Sequence, residues 1–248
     1  MNRVASAIIL GLAAVPPAQA ADCSDVALVL AIDASSSIDA AEFDLQIAGY
    51  RNALSSPEVG ESFRSAGTVQ IAAVLWADSA FAPQVVPWHR IGTAHDLRGF
   101  ATTLAATERR VTGNTDMGSG LKAALDLLDD QAICAERMVI DISGDGRSSV
   151  NARRAGVASL GIERRRAEDL GVIVNGLAIL GGDRGLADYY RAEVAVGLSS
   201  FVMEVQGFTT FHEAIAQKLM REVLASGPGP SDRQDRVGPE ISRDIARL

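Results

Sequence analysis

The stretch "DVALVLAID", Asp25 to Asp33, limits the fold more than any other part of the chain. A strand with one wet face alternates apolar and polar residues. A nearly continuous apolar run is the pattern of a strand covered on both faces, as in a parallel sheet. Such a sheet needs crossover connections, usually helices, above and below it. The run ends at Asp33, and "ASSS" follows at once. In open α/β sheets ligands bind beyond the carboxyl ends of the strands. Asp33, Ser35 and Ser37 therefore read as oxygens set out for a cation, one carboxylate and two hydroxyls at alternate positions with no basic residue among them.

The rest of the chain repeats the strand–helix alternation. After Asp39 the apolar residues Phe43, Ile47, Tyr50 and Leu54 recur at helical spacing, with Ser37 or Asp39 placed to cap the start. "TVQIAAVLWA" (Thr68 to Ala77) and "FAPQVVPW" (Phe81 to Trp88) are strands joined by a link short enough for an antiparallel hairpin. Pro83 and Pro87 put the second of them at an edge. A helix is predicted over 93–106 and another at "LKAALDLLDD". The strand "RMVIDIS" (Arg137 to Ser143) leads to a helix over 151–170, and the strand "GVIVNGLAIL" to a helix over 186–194. The strand "SFVMEV" and the helix "FTTFHEAIAQKLMREVLA" close the series. The expected fold is α/β, a doubly wound, mostly parallel six-stranded sheet with one antiparallel edge strand and helices on both faces.

The ends of the chain read differently. Residues 1–20, "MNRVASAIILGLAAVPPAQA", have an early arginine, an apolar middle and small residues around Gln19. This is a secretory signal with cleavage expected after Ala20, so the protein is expected in the periplasm or outside the cell. The domain is expected over 21–226, and residues 227–248, rich in Pro, Gly and charge, read as a flexible tail. The formal charge is −8. An acidic chain has no electrostatic footprint for nucleic acid, and no later segment is apolar and long enough to enter a membrane. The one dense basic run, Arg164 to Arg166, lies among acidic residues and reads as a solvated helix face.

Two further segments offer oxygen. Thr115 lies in the Gly-flanked loop "TGNTDMGSG", just before a helix, and Asp145 lies in "SGDG", where a strand ends. With Asp33, Ser35 and Ser37 they form a set without a soft ligand. Such a set suits a hard cation, Mg²⁺ first and then Mn²⁺ or Ca²⁺. Asp141, inside its strand, is expected to be buried and bonded to backbone or to Ser143. Asp78 and Asp116 read as turn or cap residues near the mouth. The histidines, His89, His95 and His212, do not pair at ligand spacing, and no His-Glu-x-x-His, phosphate-loop or Gly-x-Ser-x-Gly motif is present.

"DASSS", the threonine before a helix and the Asp-Gly after a later strand together resemble von Willebrand factor A-type domains and their metal-ion-dependent adhesion site. More narrowly, "LVLAIDASSSID", "VPW", "GNTDMGSGL" and "VIDISGDG" resemble a bacterial family of exported A-type-like domains of unknown function. The resemblance implies that Ser35 and Ser37 bind the metal directly. Thr115 would bind it directly or through water, and Asp33 and Asp145 would hold metal-bound waters or reach the metal. It also implies an open coordination position for a carboxylate from a partner protein. A binding or adhesion module is the leading expectation, with a metal-dependent phosphoester hydrolase as the alternative.

In the fold so implied, the strand ending at Asp33 lies beside and parallel to the one before "GDG". Cys23 is ten residues before Asp33, and Cys134 is eleven before Asp145. Both therefore lie near the opposite edge of the sheet, on strands about 4.8 Å apart. In an exported protein this predicts a Cys23–Cys134 disulfide and removes both thiols from any catalytic role.

Overall fold

The computed structural model describes residues 23–150 and 156–225. The signal sequence expected over 1–20, the tail expected over 227–248 and the start of the helix expected over 151–170 lie outside the described residues.

Six strands form one sheet in the order β3-β2-β1-β4-β5-β6. They are β1 (Ser24–Asp33), β2 (Val69–Trp76), β3 (Gln84–Ile91), β4 (Ala135–Gly144), β5 (Ile173–Leu180) and β6 (Val202–Gln206). All neighbours are parallel except β2 and β3. The edge role inferred from proline holds, since β3 pairs with β2 alone, and Pro87 falls in the bulge opposite Ala72.

The two faces of β1 explain the two cores. Val26, Leu28, Leu30 and Ile32 point to one side and pack with α1 (Ala40–Ser55), α2 (Pro57–Ser65), α3 (Ala94–Ala105) and α7 (Phe211–Leu224). Ala27, Val29 and Ala31 point to the other and pack with α4 (Met117–Leu128), α5 (Leu160–Leu170) and α6 (Leu186–Glu193). The smaller side chains on that side let α4 approach closely. A Cβ at Gly120 would come within 2.5 Å of the Trp76 ring.

Several boundaries differ from the sequence reading, each for a local reason. Pro57 cannot continue α1 but suits the first turn of a new helix. Ser56 caps that helix through Val59 N–H, so α2 is an element that hydrophobic spacing had not marked. Asp39, not Ser37, caps α1, in a reciprocal pair with Glu42. Asp78 folds Ala80 and Phe81 into a turn, so β3 starts at Gln84 rather than Phe81. Asp116 caps α4 through Ser119, which starts that helix at Met117, four residues before Leu121. Among the described residues of the stretch expected to be helical over 151–170, the helix α5 begins at Leu160, beyond Gly156 with its φ of +86°.

Candidate metal centre

β1 and β4 lie side by side with a constant offset, Ser24 opposite Ala135 and Ile32 opposite Ser143. They end together at one edge of the sheet. Past that edge the β1–α1 turn carries Ser35 and Ser37, the β4 end carries Asp145, and the loop before α4 brings Thr115 across. The structure joins all five residues singled out in the sequence. Ser35 N–H donates to Asp33 Oδ1 at 2.8 Å, and Thr115 Oγ1 donates to Ser35 Oγ at 3.2 Å. The Ser35 and Ser37 hydroxyls lie 3.1 Å apart. Ser37 Oγ donates to Asp145 Oδ1 at 2.6 Å. Asp33 and Ser35 are fully buried, Asp145 is half-buried and Ser37 is exposed. The set therefore runs from the sheet interior to solvent.

Other residues fix this arrangement, and sequence motifs had not identified them. Arg109, in the loop before α4, donates from its guanidinium to the carbonyls of Ala34, Ser35 and Ile38. It also lies 5.1 Å from the centre of the Phe43 ring. Gln46 Nε2 donates to the Asp33 carbonyl at 2.9 Å. A glutamine one residue before Ile47, on the apolar side of α1, was the available signal. Ser36 and Gly113 exchange two hydrogen bonds, Ser36 N–H to Gly113 O at 2.8 Å and Gly113 N–H to Ser36 Oγ at 2.9 Å. Gly113 adopts a φ of +99°, which favours glycine. Thr115 N–H donates to Ser149 Oγ at 3.0 Å. Asp78 accepts from Asn114 and Asp116 caps α4, so both are structural, as the sequence indicated.

The fit to a cation rests on the oxygens themselves. Asp33 Oδ2 is buried and has no hydrogen-bond partner, a costly state for a carboxylate oxygen. Burial pushes the Asp33 carboxyl up to about 7, and the nearby Asp145 adds to the rise. Asp145 is also raised, chiefly by burial. An octahedral ion with oxygens at about 2.1 Å sets adjacent ligands about 3.0 Å apart. The Thr115–Ser35 and Ser35–Ser37 separations, 3.2 and 3.1 Å, match that spacing. Gly144 leaves the needed room, because a Cβ there would lie 2.6 Å from Asp33 Oδ2 and 2.8 Å from Tyr190 Oη. Among the described residues no three His, Cys, Asp or Glu side chains cluster as metal ligands. In the candidate set three of the five residues offer hydroxyls instead.

The profile described as "Protein of unknown function (DUF1194)" matches residues 22–227. The chain belongs to this family. No curated protein matches the DUF1194 chain in sequence. Its fold is that of a von Willebrand A domain. Proximal thread matrix protein 1 from the mussel byssus superposes with a TM-score of 0.57 at 18% identity, over 80% of this chain and 48% of that one. A second structure of that protein is described as having a zinc-occupied metal-ion-dependent adhesion site, with a TM-score of 0.52 at 16% identity. The pilus adhesin SpaC from Lactobacillus rhamnosus GG gives 0.55 at 15% identity, over 82% of this chain and 31% of the adhesin. The von Willebrand domain of the pili tip protein Mfa5 from Porphyromonas gingivalis gives 0.54 at 14%, over 84% and 99%. The DUF1194 chain thus spans about half of the mussel protein and about a third of the adhesin.

The remaining sequence assignments lie elsewhere in the DUF1194 fold. Cys23 and Cys134 form a disulfide with their Cα atoms 4.7 Å apart, as the register argument required. The strand offset places Asp33 level with Gly144, so Asp145 stands one residue beyond it. Asp141 differs from expectation. Its partner is not Ser143, which bonds Tyr50, but the buried ammonium of Lys218. Arg166 meets Asp126 and Asp129 of the neighbouring helix and its C-cap, so part of the basic run joins α5 to α4. His89 packs edge-on against Phe100, His95 lies in the first turn of α3, and His212 faces Glu213 at the surface.

Proposed function

We propose that this domain is an exported binding module that uses a divalent cation, Mg²⁺ or else Mn²⁺ or Ca²⁺, to hold a protein partner through a carboxylate. One observation carries this reading. Asp33, Ser35, Ser37, Thr115 and Asp145 come from three separate segments and meet in one chain of contacts at the sheet edge. Ser35, Ser37 and Thr115 would face the cation directly, with Asp33 and Asp145 behind or beside them. Three of these five residues are neutral hydroxyls. A cation held largely by neutral oxygens keeps positive charge to offer an anionic ligand, and Ser37 lies on the solvent side where such a ligand would arrive. Arg109 would keep the β1–α1 turn rigid, so the hydroxyls are positioned before binding. The adhesion-site description of the mussel protein and the adhesin description of SpaC support the reading.

The binding role is preferred to phosphoester hydrolysis because hydrolysis needs a base or nucleophile beside the metal. Around these five residues the Arg109 guanidinium, the Gln46 amide and the Ser149 hydroxyl are engaged in hydrogen bonds, and the Glu42 carboxylate, close enough to raise Asp145, is held in the α1 capping pair with Asp39. The signal-like segment supports export. The test is binding of an aspartate-containing peptide to the purified domain with Mg²⁺ and with chelator. Saturable binding that needs Mg²⁺ and disappears in Ser37→Ala supports the module. Metal-dependent turnover of a general phosphoester, lost in Asp33→Ala, would replace it with the hydrolase.

A further inference from the structure

A second polar cluster lies under α7, away from the sheet edge. Lys218 of α7 is fully buried, and its Nζ lies 2.6 Å from Asp141 Oδ1 of β4. The same Nζ lies 2.5 Å from Glu222 Oε1, one turn further along the helix. Glu222 Oε1 also accepts from Asn175 Nδ2 of β5 at 3.2 Å. Asn175 Oδ1 in turn accepts from Phe201 N–H at 3.0 Å, and the Phe201 ring covers the ammonium at 5.5 Å. Arg137 donates to the backbone carbonyls of Glu222 and Val223. Asp141, Lys218 and Glu222 are all within 1% of complete burial.

Two features separate this cluster from an ordinary buried ion pair. The Lys218–Asp141 contact is short but lies outside hydrogen-bond angles, and neither Asp141 oxygen has a hydrogen-bond partner. A purely structural pair gains most by pointing an N–H along a lone pair. The second feature is charge. Two carboxyl groups share one ammonium in an apolar interior, where an unmatched charge is very costly. Burial, reinforced by Asp141, pushes Glu222 up to about 8, so at neutral pH it holds a proton. An amine, a carboxyl carbon and a protonated carboxyl are thus held together with water excluded. Such fixed proximity accelerates bond formation between groups that do not react in water.

We propose that Lys218 and Asp141 join through an intramolecular amide bond, with Glu222 as the proton relay. A proton first passes from the Lys218 ammonium to the Asp141 carboxylate, giving a neutral amine and a neutral acid. Nζ then attacks Cγ of Asp141, and the N–C bond forms. Glu222 takes the extra proton from nitrogen and returns its own to a hydroxyl on Cγ. The C–O bond breaks, one water leaves, and Glu222 ends as it began. No oxidant, nucleotide or metal is consumed. The product ties α7 covalently to a central strand, as the disulfide ties the start of β1 to the segment before β4.

The test is the intact mass of the folded, purified protein, taken after denaturation and reduction. The expected mass is one water below that of the mature sequence, and digestion should yield a branched peptide joining the segments of Asp141 and Lys218. Lys218→Met, which removes the amine, should return to the full mass. Folded Glu222→Gln should lack the branched peptide, and its retention there would overturn the relay role. A full mass for the folded wild-type protein overturns the proposal. So does a water loss that maps to a linear peptide at Asp145–Gly146, where succinimide closure produces the same change.

Discussion

Asp33 is the buried carboxylate on which the proposed cation binding depends. Its raised value, about 7, means that the cation-free site holds a proton there in mild acid. At the proposed site proton and cation would compete for this group, so below about pH 7 a binding cation would have to displace the proton. Cation affinity should fall about tenfold for each pH unit below 7 and level off above it. Calorimetric titrations from pH 5 to 8 would measure this, and a flat profile would count against Asp33. Gly144 gives a second residue-scale prediction. In Gly144→Ala the new methyl would meet Asp33 Oδ2 and Tyr190 Oη. Overpacking of this kind costs about 1–3 kcal/mol, so thermal unfolding should shift down and cation binding should weaken together. The five residues of the candidate set were legible as a group because each motif stands at the end of an apolar run or the start of a helical one. Arg109 and Gln46 were not legible. Their partners are backbone carbonyls of a distant turn, and a carbonyl leaves no mark in a sequence.

Among the elements, β1 was the most readable and the loop before α4 the least. An apolar run with different side-chain sizes at odd and even positions describes a strand between two unlike helical layers, and β1 is that strand. α2 was missed because its helical stretch is short and polar, and the decisive signal was a capped proline rather than periodicity. The loop before α4 reaches the β1–α1 turn through Arg109, Thr112 and Gly113. Arg109→Ala should therefore loosen that turn while leaving the sheet intact. Loss of hydrogen bonds from a charged donor to buried carbonyls predicts about 1.5–3 kcal/mol of destabilisation. Cation affinity should fall although Arg109 reaches Ser35 through its backbone carbonyl and not through its hydroxyl. Unfolding curves and cation titrations on the same variant would check both effects.

For the whole molecule, strand order and register turn separate motifs into one site and one crosslink. The offset that sets Ile32 opposite Ser143 also sets Ser24 opposite Ala135, so the edge with the candidate cation site and the edge with the disulfide are two ends of a single pairing. That pairing was foreseeable once the family resemblance set the two strands side by side, because two carboxylates and two cysteines then fall at nearly equal spacing. The buried Lys218–Asp141–Glu222 cluster was not, because nothing in the helical stretch that holds Lys218 and Glu222 marks those two side chains as buried. The disulfide closes a separation of 111 residues. Removing such a link costs up to about 4–5 kcal/mol in the chain-entropy model, so Cys23→Ala/Cys134→Ala should melt well below the parent while keeping the site. The central claim is that five residues from three segments make one cation site, and titration of the folded, metal-stripped domain with Mg²⁺ tests it most directly. One saturable site in the wild type, lost in a Ser35→Ala variant that remains folded, is the predicted result. A folded wild-type domain that takes up no Mg²⁺, Mn²⁺ or Ca²⁺, or an unchanged isotherm in Ser35→Ala, would contradict it.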